Sequence, residues 1–280
     1  MRSMIKRVDE TGAEQKYAAL LAELRRLGRV MVAFSGGVDS TLLLFAARAA
    51  LGKNAMAVTA RSGVVPGRDM QDAEAFCRRY DISHFYFDFD ELSVPGFAAN
   101  PPDRCYICKK TLFTNFLRLA AEQRAVLCEG SNLDDLGDYR PGLRALAELQ
   151  VASPLRTAQL TKAEIRFLSQ KYELPTWDKP SFACLASRFA YGEPITREKL
   201  LAVDKAEQFL AELGFSQFRV RVHGNLARIE VAPAQLGLAA KEPLRSEIYQ
   251  KLKELGFTYV ALDLAGYRTG SMNESLKIGG

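Results

Sequence analysis

Residues 35–40 read Ser-Gly-Gly-Val-Asp-Ser and follow the apolar run VMVAF. Two adjacent glycines let a backbone curl so that consecutive N–H groups point inward, and a helix beginning near Asp39 adds its positive dipole end. Such a turn suits an anion, with Ser35, Ser40 and Thr41 as hydroxyl donors. No lysine follows the glycines at Walker-loop spacing. A second polar string, EGSNLDDLGDYRPG at 129–142, places three aspartates and Arg140 in one loop. The chain has five cysteines. Cys105 and Cys108 form a Cys-x-x-Cys pair at the start of a predicted helix, and Cys184 lies in a loop. Cys77 falls in a helical run and Cys128 in an apolar strand, as core residues do.

The thiols admit several chemistries. A structural zinc site closes with four N/S ligands, but both histidines, His84 and His223, lie away from these motifs. A redox disulfide needs the pair alone and leaves Cys184 unexplained. Three thiolates on an iron–sulfur cluster leave one iron open to an added sulfide, where four-cysteine ligation is the ordinary case. Further along, FRVRVHG alternates Phe218, Val220 and Val222 with Arg219, Arg221 and His223, so period 2 gathers the polar three on one face. Arg228 and Glu230 alternate likewise on the paired strand. Arginines pair with phosphate in bidentate fashion, so Arg219, Arg221 and Arg268 are candidate phosphate ligands. The competing readings are a solvated sheet face and a subunit interface.

The elements that position these residues alternate. A helix over 15–28 precedes the strand RVMVAFS. The helix DSTLLLFAARAALG, the strand NAMAVTARS, a helix from Gly67, the strand SHFYFDFD, a helix from Arg104 and the strand VLCEGSN follow. The pattern predicts an α/β domain with a parallel sheet covered by helices on both faces. Leu174–Tyr191, with Pro175 and Pro180, breaks it. A helix over 196–213, a hairpin turning at Gly224-Asn225, a helix over 243–255 and the strand FTYVALDL then predict a smaller α+β unit. The expected division is 1–174, a cysteine-bearing loop at 175–195, and a substrate or oligomerisation domain at 196–280.

Composition is that of an ordinary globular protein, with 48% apolar and 25% charged residues and a net charge of +5. That charge suits an anionic small molecule and is too diffuse for a nucleic-acid or membrane surface. No apolar run approaches the ~18 residues of a membrane span, and no signal-peptide core is evident. The expected location is cytoplasmic, where cysteines serve as thiols, metal ligands or redox groups.

Ser35, Gly36, Gly37, Val38, Asp39 and Ser40 match the Ser-Gly-Gly-x-Asp-Ser signature of the N-type ATP pyrophosphatases, the PP-loop family. Taken with 129–142, KPSFACLASRFAYG and LDLAGYRTGSMNE, the chain resembles the LarE-type sulfur transferases over nearly its whole length. The resemblance implies an adenine-nucleotide α-hydrolase-like fold and ATP cleavage between the α and β phosphates. AMP is then carried to a carboxylate of a pyridinium dicarboxylate mononucleotide on the way to the nickel-pincer cofactor of lactate racemase. Residues 35–40 would hold pyrophosphate, Asp39 capping the helix or assisting Mg2+. Thr59 and Arg61 would lie near adenine and ribose, Gly130, Asp134, Asp135 and Arg140 on the ATP side, and Asp134 against Mg2+. The resemblance also implies one of two sulfur sources. Cys184 gives up its own sulfur, or Cys105, Cys108 and Cys184 hold a 4Fe–4S cluster and sulfide or another donor supplies sulfur. Homo-oligomers are implied as well. An amidating synthetase of NAD-synthetase type would need no cysteine triad, and a tRNA-thiolating enzyme would need an RNA-binding module. A non-catalytic ATP-binding or iron–sulfur carrier would release no pyrophosphate.

Overall fold

The computed structural model describes residues 8–63, 67–137, 141–179, 184–268 and 270–272. Its chain divides into two compact units. The first comprises Met1–Ser62, Gly67–Phe89 and Cys105–Phe182, and the second Gly63–Pro66, Asp90–Arg104 and Ala183–Gly280.

In the first unit α1 (Glu10–Leu27) leads into β1 (Val30–Ala33), α2 (Val38–Leu51), β2 (Ala55–Arg61), α3 (Gly67–Arg79) and β3 (Ser83–Asp88). Helix α4 (Arg104–Glu122), β4 (Val126–Cys128), α5 (Pro141–Glu148), the single turn α6 (Pro154–Thr157) and α7 (Lys162–Lys171) complete it. The four strands are parallel in the order β3-β2-β1-β4. Apolar runs without alternation form them because both faces are covered. Val30, Val32, Ala55 and Ala57 pack with residues of α1, α2 and α7 such as Leu20, Leu43 and Ile165. Met31, Met56 and Val58 face the other way, toward Phe113 and Phe116 of α4 and Leu146 of α5. The expected α/β sheet with helices on both faces is therefore present. Helix α1 begins five residues before the apolar period that announced it and ends as expected, at Gly28 with φ 76°. A left-handed glycine is a common helix stop.

The order β3-β2-β1-β4 places a topological switch between β1 and β4, because the chain builds outward from β1 in one direction and then returns to its other side. Ligand crevices of doubly wound sheets open there, outside the carboxyl ends of the strands.

In the second unit α8 (Arg197–Glu212) packs on β5 (Phe218–His223), which pairs antiparallel with β6 (Leu226–Val231) across Gly224 at φ 61°. After the short α9 (Leu236–Ala239), α10 (Leu244–Glu254) packs on β7 (Tyr259–Leu262), which joins β6 in parallel. The expected hairpin, flanking helices and last strand are all found. Among the described residues no helix is long and apolar enough to cross a membrane.

Candidate functional site

Between β1 and α2 the chain turns on Gly36, whose φ of 68° lies in the region that glycine tolerates best. Gly37 is extended and caps α2 through its backbone carbonyl, which accepts from Thr41 N at 2.9 Å. The serines brace the turn. Ser35 and Ser40 hydroxyls lie 3.1 Å apart, Ser40 Oγ donates to Gly37 O at 3.1 Å, and Gly37 N donates to Ser35 Oγ at 3.4 Å. A 14-residue helix thus opens directly behind a glycine turn at the switch point, an arrangement that attracts anions.

The loop after β4 completes one wall. A Cβ at Gly130 would sit 3.1 Å from Ser40 N and 3.4 Å from Asp39 Cβ, so this glycine permits a close approach to the helix start. Asn132 Nδ2 donates to Asp39 Oδ1 at 3.2 Å, and the Lys162 ammonium is ion-paired with Asp39 Oδ2. Lys162 N donates to Asp134 Oδ2 at 2.7 Å. Asp134 N in turn donates to Asn132 Oδ1, and Asn132 N to Asp135 Oδ2, each at 2.9 Å. Asp39 is therefore directed at Lys162 and Asn132. Asp134 is exposed, as suits Mg2+, which keeps several waters and binds through one or two carboxylates. Arg140 lies outside the described residues.

Lys162, Asn132 and Lys179 were not among the candidates read from the sequence. Lys162 follows Thr161, which caps α7 in a capping box with Glu164. That box is legible as T-x-x-E, but it announces a helix start rather than a partner for Asp39. Lys179 reaches the turn from beyond α7, with its ammonium 3.3 Å from Gly36 O.

Thr59 and Arg61 sit at the end of β2. Thr59 is buried, and its hydroxyl donates to Phe34 O at 2.7 Å and lies 2.8 Å from His84 Nε2. Because the threonine proton is committed to Phe34, His84 donates from Nε2. Its Nδ1 is buried without a partner, and burial drops its pKa to about 4. Arg61 is more open, with its guanidinium 4.1 Å above the Tyr86 ring.

Cys105 and Cys108 occupy the first turns of α4, three residues apart and on one face. That end of α4 is fixed to α5 by Tyr106 Oη and Lys110 Nζ, which donate to Glu148 at 2.8 and 2.7 Å. Cys105 is exposed and Cys108 half-buried, whereas Cys77 and Cys128 are buried in the core as expected. Burial pushes the thiols of Cys77 and Cys128 up to about 12, so both stay protonated. Cys184, in the second unit, is exposed. Among the described residues no three His, Cys, Asp or Glu side chains gather as a metal-binding group.

The turn that carries Cys184 is firmly held within its own unit. Arg188 is fully buried, pairs with Glu207 at 2.9 Å and donates to Cys184 O at 3.3 Å. Arg104 donates to Ala186 O at 3.0 Å, and Arg221 to Ser187 O at 3.1 Å. Arg221 also donates to Glu230 at 3.0 Å and to Ser271 Oγ at 3.1 Å. Arg219 donates to Phe218 O at 2.6 Å and lies 5.1 Å from the Tyr267 ring centroid, and burial lowers its pKa to about 10. The polar face of β5 is thus not a solvated one. Its arginines are 5% and 6% exposed and share a charged network with Glu207 and Glu230. Arg268, half-exposed, points at Asp263 across 3.4 Å.

No family model matches the chain. It is 43% identical over 265 residues to an uncharacterized protein of Synechocystis sp., covering 94% of this chain and 98% of that one. A tRNA-specific 2-thiouridylase of Zymomonas mobilis is 30% identical over 114 residues, about a third of each protein. The pyridinium-3,5-bisthiocarboxylic acid mononucleotide synthase of Lactiplantibacillus plantarum is 37% identical over 263 residues, 93% of this chain and 95% of the synthase. A likeness of that extent shows the family, and the chain belongs to the LarE-type PP-loop proteins.

Proposed function

We propose that the protein adenylates a carboxylate of pyridinium-3,5-biscarboxylate mononucleotide with ATP and replaces the AMP by sulfur, giving a thiocarboxylate. Membership of the LarE-type family supports an ATP-dependent sulfur transfer in general, and the relative's name supports this substrate. The observation that carries the reading is the turn at Gly36-Gly37, held open at the start of α2 by Ser35, Ser40 and the Asp39–Lys162–Asn132 contacts.

In this reading Ser35–Ser40 bind the pyrophosphate end of ATP, and Thr59 and Arg61 line the nucleoside side. A carboxylate oxygen of the substrate attacks the α phosphorus, its bond to the bridging oxygen breaks, and pyrophosphate leaves. A sulfur nucleophile then attacks the acyl carbon and AMP departs with the former carboxylate oxygen. Arg219, Arg221 and Arg268 are proposed to receive the substrate's phosphate, for which Arg221 must share its existing bond to Glu230. Asp134, with Asp39 nearby in the network, would hold Mg2+ against the phosphates.

The cysteines Cys105, Cys108 and Cys184 would hold a 4Fe–4S cluster, which would carry sulfur taken from sulfide or another donor to the activated substrate. Accessible thiols one turn apart on a braced helix suit such ligation. A second reading, Cys184 as sacrificial sulfur donor, is favoured by its exposure. The test is pyrophosphate release that depends on the mononucleotide, run beside iron and sulfide analysis of anaerobically prepared protein. Release with ATP alone, indifferent to the mononucleotide, would contradict the proposal.

A further inference from the structure

Arg166 on α7 donates to Trp177 O at 2.7 Å and to Lys179 O at 2.8 Å. Lys179 N also donates to Thr176 O at 3.1 Å, so the backbone at Lys179 is strapped against the helix it has just left. From that anchored position the ammonium reaches Gly36 O at 3.3 Å and Asp72 of α3 at 2.8 Å. The Lys179 side chain is 14% exposed, and Asp72 is 58% exposed.

The ammonium thus lies beside the start of α2, whose N–H groups attract an anion. A polyanion in the turn would meet both the helix start and this cation. The pairing with Asp72 is the kind that gives way, since the carboxylate is largely open to water, which competes for it.

We propose that Lys179 is a phosphate ligand of the nucleotide, exchanging Asp72 for the pyrophosphate portion of ATP. The inference rests on the proposed ATP site and adds a residue to it. As the bond between the α phosphorus and the bridging oxygen breaks, negative charge grows on the departing pyrophosphate, and the ammonium neutralises part of it without giving up a proton. Lys179 is then a catalytic residue in both binding and cleavage, and Asp72 its resting partner.

Inorganic pyrophosphate is the probe. Its affinity for the full chain is measured by calorimetry for the parent, Lys179→Ala, Lys179→Gln, Asp72→Asn and Ser40→Ala, with unfolding midpoints recorded alongside. Loss of a charge-assisted contact is expected to weaken pyrophosphate binding about tenfold or more in both Lys179 variants. Asp72→Asn, which frees the lysine, is expected to bind pyrophosphate at least as tightly as the parent. The glutamine variant keeps most of the aliphatic stem and serves if the alanine variant fails to fold. Parental affinity in the Lys179 variants with weakened binding in Ser40→Ala overturns the role of Lys179 and leaves the ATP site standing. Parental affinity in all three removes the ATP site as well. Weaker binding in Asp72→Asn contradicts the exchange.

Discussion

Lys162 joins two groups far apart in the chain, its ammonium pairing with Asp39 and its backbone N–H with Asp134, and Asn132 bridges the two aspartates. Asp39→Asn or Ser40→Ala is expected to slow pyrophosphate release roughly ten- to hundredfold, the effect of losing about 1.5–3 kcal/mol of charge-assisted contact. Far-UV circular dichroism should stay parental, since these side chains face the turn rather than the core. Lys162→Ala should slow release as well and, by freeing Asp39, weaken its dependence on ionic strength. Equal rates in all three variants would remove the turn from the chemistry. The turn itself was legible, because its six residues are contiguous and their types act through the backbone they shape. Lys162 and Lys179 were not, because each is one of 38 basic residues until the fold brings it to the turn. Arg221 was half legible. Alternation assigned it to the polar face of β5, but what covers that face is Ser187 and Ser271, far off in sequence.

At the scale of elements, the apolar runs of β1 and β2 and the breaks between them made the parallel sheet readable in advance. Helix starts were less so: Glu10 opens α1 ahead of any apolar period. Two contacts between elements can be tested. Gly130→Val places a branched side chain where even a Cβ meets Ser40 N at 3.1 Å, forcing the loop after β4 away from α2. Pyrophosphate release should fall further than the unfolding midpoint does, and a fully active variant would show that this approach is dispensable. His84 couples β3 to β2 and offers a pH signature. Its folded pKa, about 4, lies below the ordinary 6.5 chiefly through burial, with Glu74 opposing and Arg61 adding to the shift. Between these values the unfolded chain binds the extra proton. The stabilisation is thus complete above about pH 6.5 and is lost as pH falls toward 4. Urea midpoints measured across that window should rise with pH in the parent and rise less steeply in His84→Gln. Identical slopes would show that His84 does not contribute.

For the molecule as a whole, the exposed Cys184 sits on a turn secured by the buried Arg188–Glu207 pair. Arg188→Met strands Glu207 and should destabilise the second unit by about 3–5 kcal/mol, seen as an earlier unfolding transition. If Cys105, Cys108 and Cys184 serve one cluster, each single alanine variant loses iron, while adenylation persists in all three. A sacrificial Cys184 would leave iron irrelevant, and the polypeptide would lose the mass of hydrogen sulfide after turnover. Both routes share one central step, attack of a substrate carboxylate oxygen on the α phosphorus of ATP. The direct measurement is to supply the mononucleotide with 18O in its carboxylates and to follow the nucleotide product by mass spectrometry through one round of sulfur transfer. The account predicts AMP carrying one 18O atom, formed together with unlabelled pyrophosphate. Unlabelled AMP, or ADP with phosphate, would contradict it.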